Sequence, residues 1–232
     1  MFSEIGLNMY NEEGEEQNDQ DCLSITSIDT NLEDLETDNL RKYEYSCKML
    51  DVSSDRQMCD LLQYDNITIT ARTFCFNDFR AFFSTIEHKT LSTLNLSRNK
   101  LEAKSAIFMG TSLSMNFTQS ECGILKMSST CLANNYSLIK LNLSWNQIRG
   151  RGAVALLRAF EVNTGIKDLD LSWNGLGYDG SLALRRIFKI NETLTYLNIS
   201  HNNTDLKAAK VIAQGIAGNT ALESLLVNDL NE

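Results

Sequence analysis

No lysine or arginine occurs in the first 40 residues, although that stretch holds twelve aspartates and glutamates. It therefore carries about −12 of a net charge of −9, and the remaining chain is left slightly positive, at about +3. Its run NEEGEEQNDQD offers few apolar side chains, too little burial to offset the entropy of ordering a chain, so residues 1–40 are expected to form a largely disordered acidic tail. Two roles stay open for it: solubilising the chain, or docking to a basic partner. Also missing is any run of eighteen apolar residues, which argues against a membrane span, and any basic stretch ahead of an apolar N-terminal core, which argues against secretion. A cytoplasmic location follows as the expectation. Sequons such as Asn142-Leu143-Ser144 are then expected to stay unglycosylated.

The six cysteines, at 22, 47, 59, 75, 122 and 131, show neither CxxC spacing nor histidine neighbours. That argues against both a zinc site and a disulfide framework, and free, mostly buried thiols are the expectation. Histidine is scarce as well. His88 and His201 are the two in the chain, and neither lies beside an obvious Ser or Cys nucleophile. Gly-rich phosphate loops and metal-ligand pairs are lacking too, so the expectation is a protein that is not an enzyme, with no catalytic, cofactor-binding or metal-binding residue to assign. The acidic balance, with only slight positive charge outside the tail, speaks against nucleic acid as a partner.

What the chain does hold is repetition. The word KLNLSWN at 140–146 returns as DLDLSWN at 168–174, a shift of 28 residues. The same shift aligns Leu138, Leu141, Leu143 and Asn146 with Ile166, Leu169, Leu171 and Asn174, then with Leu194, Leu197, Ile199 and Asn202, and begins a further copy at Leu222, Leu225 and Val227. Apolar residues two apart suit a short strand with one buried face. The period then changes: Ala153, Leu156, Leu157 and Phe160 fall at i, i+3, i+4 and i+7, an apolar stripe on a helix, echoed by Leu184 and Phe188 and by Ala209, Ile212 and Ile216. A unit this short cannot close a core alone, so successive units must stack, with a parallel sheet on one surface and helices on the other. The asparagine ending each word (Asn99, Asn146, Asn174, Asn202) is read as structural, because a buried amide can both donate to and accept from backbone groups left unpaired as the chain leaves the strand.

The pattern LxxLxLxxN followed by a Gly-Ala-apolar helix resembles the leucine-rich repeats of the ribonuclease-inhibitor class. The segments NYSLIKLNLSWNQIRGRGAVAL, KDLDLSWNGLGYDGSLAL and FKINETLTYLNIS look like the repeats of the leucine-rich repeat-containing protein 74 family, over about residue 41 to the end and most closely over 91–221. The resemblance implies an α/β fold, a right-handed leucine-rich-repeat solenoid or horseshoe with a concave parallel sheet and convex helices. The organisation expected is an acidic tail (1–40), an N-terminal cap covering the first coil (41–63), and repeats over 64–232: 64–90, 91–137, 138–165, 166–193, 194–221 and a partial 222–232. In the first, Ile67 and Ile69 are placed on the strand and Phe82, Phe83 and Ile86 on the helix. The second is too long by nineteen residues, and lifting out 111–129 as an insertion in its helical part restores the register, with Leu132 falling on Phe160 and Asn135 on Asn163. A degenerate repeat with a strand at 113–115 is the alternative. The last coil is expected to leave an apolar face uncovered.

Side chains pointing outward from the strands should form columns across the concave sheet. One runs Thr93, Lys140, Asp168, Tyr196; the next Asn95, Asn142, Asp170, Asn198; a third Ser97, Ser144, Ser172, Ser200; and at the loop edge stand Arg98, Trp145, Trp173 and His201. Trp145 and Trp173 are the two tryptophans of the chain and occupy one repeat position. Paired surface aromatics are typical binding hot spots, while the bland alternative is packing over the repeat edge. The candidate partner-binding residues are Arg98, Lys140, Asn142, Trp145, Asp168, Asp170, Trp173, Tyr196, Asn198 and His201, and the function expected is a protein-interaction scaffold, monomeric unless the uncovered C-terminal face pairs. The alternative is a GTPase activator of the Ran type, with Arg98, Arg149 or Arg151 supplied to a bound GTPase.

Overall fold

The structure, a computed structural model, describes residues 39–86, 90–114 and 137–228. Helices α1 (Asn39–Met49) and α2 (Arg56–Leu61) come first. Six strands of three residues follow: β1 (Asn66–Thr68), β2 (Thr93–Asn95), β3 (Lys140–Asn142), β4 (Asp168–Asp170), β5 (Tyr196–Asn198) and β6 (Ser224–Leu226). Between them run α3 (Phe76–Ile86), α4 (Ala103–Ser114), α5 (Gly150–Ala159), α6 (Gly177–Ile190) and α7 (Leu206–Ile216). All strands pair in parallel, in sequence order. The register sets Ile67, Leu94, Leu141, Leu169, Leu197 and Leu225 in one row, with the 28-residue shift holding from Leu141 onward.

Three-residue strands are too short to stand alone, so the core between sheet and helices stabilises them. Leu141 and Leu143 from the strand side share a core with Ala153, Leu156 and Leu157 of α5 and with Phe160 at its C-cap, all buried, and Leu184 and Phe188 repeat the arrangement in α6. Burying each such side chain contributes about 1.5–3 kcal/mol. The first repeat closes with Phe79, Phe82, Phe83 and Ile86 of α3 under Ile67 and Ile69. Its open side is covered by Tyr43 and Cys47 of α1 and by Met58 of α2, and α1 begins at Asn39, slightly inside the stretch read as tail. Asp55 caps α2 through the amides of Gln57 and Met58 and pairs with Arg72 at 2.6 Å. Burial opposes ionisation of Asp55, but the Arg72 guanidinium and these two amides outweigh it and hold the carboxyl below its ordinary range.

The helix of the long repeat departs from expectation. α4 continues through Ser114, and Leu113 is buried at the place that Phe160 holds one coil later. Ala106, Met109 and Leu113 continue one stripe at i, i+3 and i+7, so the helix completes itself with local residues and closes no loop to do so. Thr111–Ser114, the first residues of the expected insertion, are therefore the last residues of α4, and Leu113 fills the place that Phe160 holds one coil later. Residues 115–136, Leu132 and Asn135 included, lie outside the described residues. Helices α4 and α5 are packed unusually tightly: a Cβ on Gly152 would stand 2.5 Å from the Ala103 Cα, and one on Gly110 2.7 Å from the Ala155 carbonyl oxygen. No side chain larger than hydrogen fits either position without moving backbone.

At the far end the expected stripe shifts. Ala208, Val211, Ile212 and Gly215 are the buried residues of α7, while Ala209 and Ile216 are half-buried. Their counterparts Ala153 and Phe160 are covered by the next coil, and Leu222, Leu225 and Val227 are likewise only partly buried. The described cysteines correct a further expectation. Cys47 is buried, Cys59 half-buried and Cys75 exposed, since Cys75 precedes α3 and accepts from the Asp78 amide at the helix start. Among the described residues no helix is long and apolar enough to cross a membrane.

Candidate functional site

The site grows out of how the backbone leaves each strand. After β2 to β5 the chain turns through a residue with positive φ: Arg98 (61°), Trp145 (55°), Trp173 (57°) and His201 (58°), with Ala71 (58°) the equivalent in the first coil. For a residue with a Cβ this left-handed conformation costs about 1–2 kcal/mol. It is held because the next residue is locked. Asn146 Oδ1 accepts from the Asn99 and Leu101 amides at 3.0 and 2.9 Å, while its Nδ2 donates to the carbonyls of Leu96 and Leu143. Asn174 donates to the Leu143 and Leu171 carbonyls and accepts from Ile148, and Asn202 donates to Leu171 and Ile199 and accepts from Leu176. Asn99 accepts from Arg72 and donates to Ile69. Each asparagine thus ties its own turn to the coil before it.

The residue with positive φ is itself pinned between coils. The Arg98 amide donates to the Ser144 carbonyl, Trp145 to Ser172 and Trp173 to Ser200, each at 2.9 Å, and His201 to Asn228 at 3.1 Å. Four side chains are therefore delivered to one edge at the spacing of parallel strands, about 4.8 Å. That spacing suits stacked rings. The Trp145 and Trp173 rings lie 4.0 Å apart and 11° from parallel, Trp173 and His201 3.9 Å apart at 23°, and the Arg98 guanidinium stands 5.5 Å from the Trp145 ring centre. Both tryptophans nevertheless stay exposed, at 44% and 41%. Their faces are used on one another, so the ladder offers ring edges to solvent, where the aromatic quadrupole is positive.

Inside this edge lie the sheet columns. Thr93, Lys140, Asp168 and Tyr196 are neighbours by strand register, as are Asn95, Asn142, Asp170 and Asn198. Lys140 pairs with Asp168 at 3.4 Å. Burial pushes the Tyr196 phenol up, and the nearby Asp170 and Asp168 carboxylates add to it. The second column has a structural task that spacing alone did not reveal. Asn95, Asn142, Asp170 and Asn198 each accept, through Oδ1, from the amide of the serine two residues on, at 2.9 to 3.1 Å. The third column is not a surface column at all. Ser97, Ser144, Ser172 and Ser200 are buried, because that turn draws them under the residue that follows.

A second asparagine ladder was missed on the opposite edge. Asn191 Nδ2 donates to the Phe160 and Asn163 carbonyls, and its Oδ1 accepts from the Thr193 and Leu194 amides. Asn219 does the same one coil on, to Phe188 and Asn191 and from Ala221 and Leu222, and Asn163 accepts from Gly165 and Ile166. The 28-residue period at 163, 191 and 219 carried the signal. His88 lies outside the described residues. Among the described residues no group of three His, Cys, Asp or Glu could hold a metal ion.

Parallel three-residue strands, alternating helices and an asparagine at each turn after β2 to β5 define a leucine-rich-repeat solenoid of the α/β kind. Four stretches, 87–110, 134–157, 162–184 and 191–213, match the family described as Leucine Rich repeat. Among solved structures the chain is similar to Leiomodin-1 Actin-Binding Site 2 (ABS2), with a TM-score of 0.51 and 15% identity, over 70% of this chain and 91% of that one. At that identity the likeness concerns the fold. No curated protein sequence matches the chain.

Proposed function

We propose that this protein is a non-enzymatic, cytoplasmic protein-interaction scaffold, and that it holds a protein partner through the concave sheet and the aromatic loop edge. One observation carries this reading: an exposed Trp145–Trp173–His201 stack stands at turn positions whose backbone requires no aromatic side chain, as Ala71 at the same place in the first coil illustrates. Packing between coils does not need it there, since the asparagine ladder and the backbone bonds already join the turns. Arg98, Trp145, Trp173 and His201 supply the edge. Lys140, Asp168 and Tyr196 supply the first column, and the free atoms of Asn142, Asp170 and Asn198 add polar groups beside them. The solved neighbour named for an actin-binding site is consistent with protein binding by such a fold, without pointing to the same partner. The 28-residue strand-helix period supports placement in the ribonuclease-inhibitor class and, by the quoted segments, in the leucine-rich repeat-containing protein 74 family.

The test is affinity purification from cells with the full chain, native against the Trp145→Ala, Trp173→Ala double variant at equal helicity. A stoichiometric protein retained by the native chain and lost by the variant is the expected outcome. Equal retention by both would sink the reading and leave the ladder as packing.

A further inference from the structure

The loop edge is charged as well as aromatic, and its charge is one-sided. Arg98, Lys100, Lys104, Arg149 and Arg151 stand on the turns and first helical residues of two adjacent coils, and all are exposed. None of these five forms an ion pair among the described residues. Lys104 and Arg151 occupy equivalent positions where α4 and α5 come closest, and no acid lies in the first turn of either helix. Glu102 is the one exposed acid between Arg98 and Lys104, and the next coils turn the other way, with Asp179 in the first turn of α6 and Asp205 capping α7. The cations therefore gather beside Trp145, and their mutual repulsion is relieved by little within the repeats.

The chain carries the complementary charge outside the described solenoid. Its first 38 residues hold twelve acids and no Lys or Arg, and they join the fold at Asn39, beside the first coil. A segment of that length can extend to roughly 120 Å, while the first and third coils lie only about 10 Å apart along the sheet. Attachment in cis also gives a high effective concentration, so weak ionic contacts suffice for docking. Ring edges favour the same ligand: with their faces stacked, the indoles present positive C–H and N–H edges, which suit carboxylates and leave no open face between them for a nucleobase.

We propose that the cationic loop edge formed by Arg98, Lys100, Lys104, Arg149 and Arg151 is the docking surface for the chain's own acidic N-terminal segment, residues 1–38, which lies against the edges of Trp145 and Trp173. The segment then competes with a protein partner for the edge. The proposal builds on the reading of that edge as a binding surface, but its test needs no partner.

Trp145 and Trp173 are the chain's two tryptophans, so quenching of full-chain fluorescence by acrylamide reports this edge alone. In the native chain the quenching constant is expected to rise about twofold from low to high salt, as screening releases the segment. In a full-length Glu12→Gln, Glu13→Gln, Glu15→Gln, Glu16→Gln variant, which alters no described element, it should be high already at low salt. Carbodiimide coupling should join Lys100 or Lys104 to a carboxylate of residues 1–38 within one chain. Equal quenching of native and variant chains at low salt would overturn the proposal, whatever the tryptophan double variant does to partner capture. Cross-links found only between chains would overturn it in favour of a second copy as the source of the acids.

Discussion

Trp145 and Asn146 are neighbours in the chain, recur with the same period and obey different rules. Asn146 turns inward and is repeated without change as Asn99, Asn174 and Asn202, because only a side chain that donates and accepts at once meets the groups of two coils. Trp145 turns outward, and over the same four coils its position reads Arg98, Trp145, Trp173 and His201. The backbone dictates the angle at that position but not the side chain. Repetition therefore marks where the fold has no choice, and variation between coils marks where the surface was free to become something else.

The comparison breaks first at the inner ladder. Asn146→Ala strips the side-chain partner from the Asn99 and Leu101 amides and the Leu96 carbonyl, all inside the stack, while the Leu143 carbonyl keeps its bond from Asn174. Unmet buried groups cost about 1–3 kcal/mol each, reduced where water enters, so a total loss of about 3 kcal/mol is expected in urea unfolding. A loss under 1 kcal/mol would show that the turn does not depend on its asparagine. On the opposite edge, Asn191→Ala removes four bonds, of which the one from the Thr193 amide is only partly buried, and should cost about 2 kcal/mol by the same reasoning. If it proves harmless, the second ladder is a consequence of the coil spacing and not a support of it.

The outer ladder should behave the opposite way. Trp145→Ala with Trp173→Ala is expected to weaken partner binding by about 2 kcal/mol or more, as truncated aromatic anchors do. The same change should lower stability by only about 1 kcal/mol, the value of an exposed aromatic stack. Calorimetric binding and urea unfolding on one preparation separate the two. A larger loss of stability than of affinity would move the tryptophans to the structural side of the comparison.

These differences explain which parts of the fold were legible beforehand. Leu141, Leu169 and Leu197 recur at one spacing because each must face the same core, so strand register, helix stripes and the solenoid class could be read from period alone. The inserted repeat was read less well: Leu113 and Leu132 offered equally apolar residues for one site, and only helix continuity favours Leu113. The serine column failed for another reason. Alternation along a strand predicts an outward Ser144, but the Asn142 side chain caps its amide and turns it inward at the strand's last residue. At the edge, the columns named the right neighbours, Arg98, Trp145, Trp173 and His201, while the stacking that takes up their faces depends on ring orientation, which spacing does not encode.

The smallest expected effect is the most discriminating. Trp145→Gly removes stacking worth about 0.5–1.5 kcal/mol. It also relieves a left-handed backbone that costs a residue with a Cβ about 1–2 kcal/mol. The unfolded state of the glycine variant gains freedom, which takes back about 0.5–1 kcal/mol. The three nearly cancel, so urea unfolding should place Trp145→Gly within about 0.5 kcal/mol of the native chain, and Trp145→Ala, which keeps the strain and loses the stack, below it. If alanine and glycine destabilise alike, strain at this turn is negligible, and the aromatic ladder needs no function to account for its place. If glycine is the milder change, the chain keeps a tryptophan where its fold would do as well without one, and the reason must lie in what touches that edge.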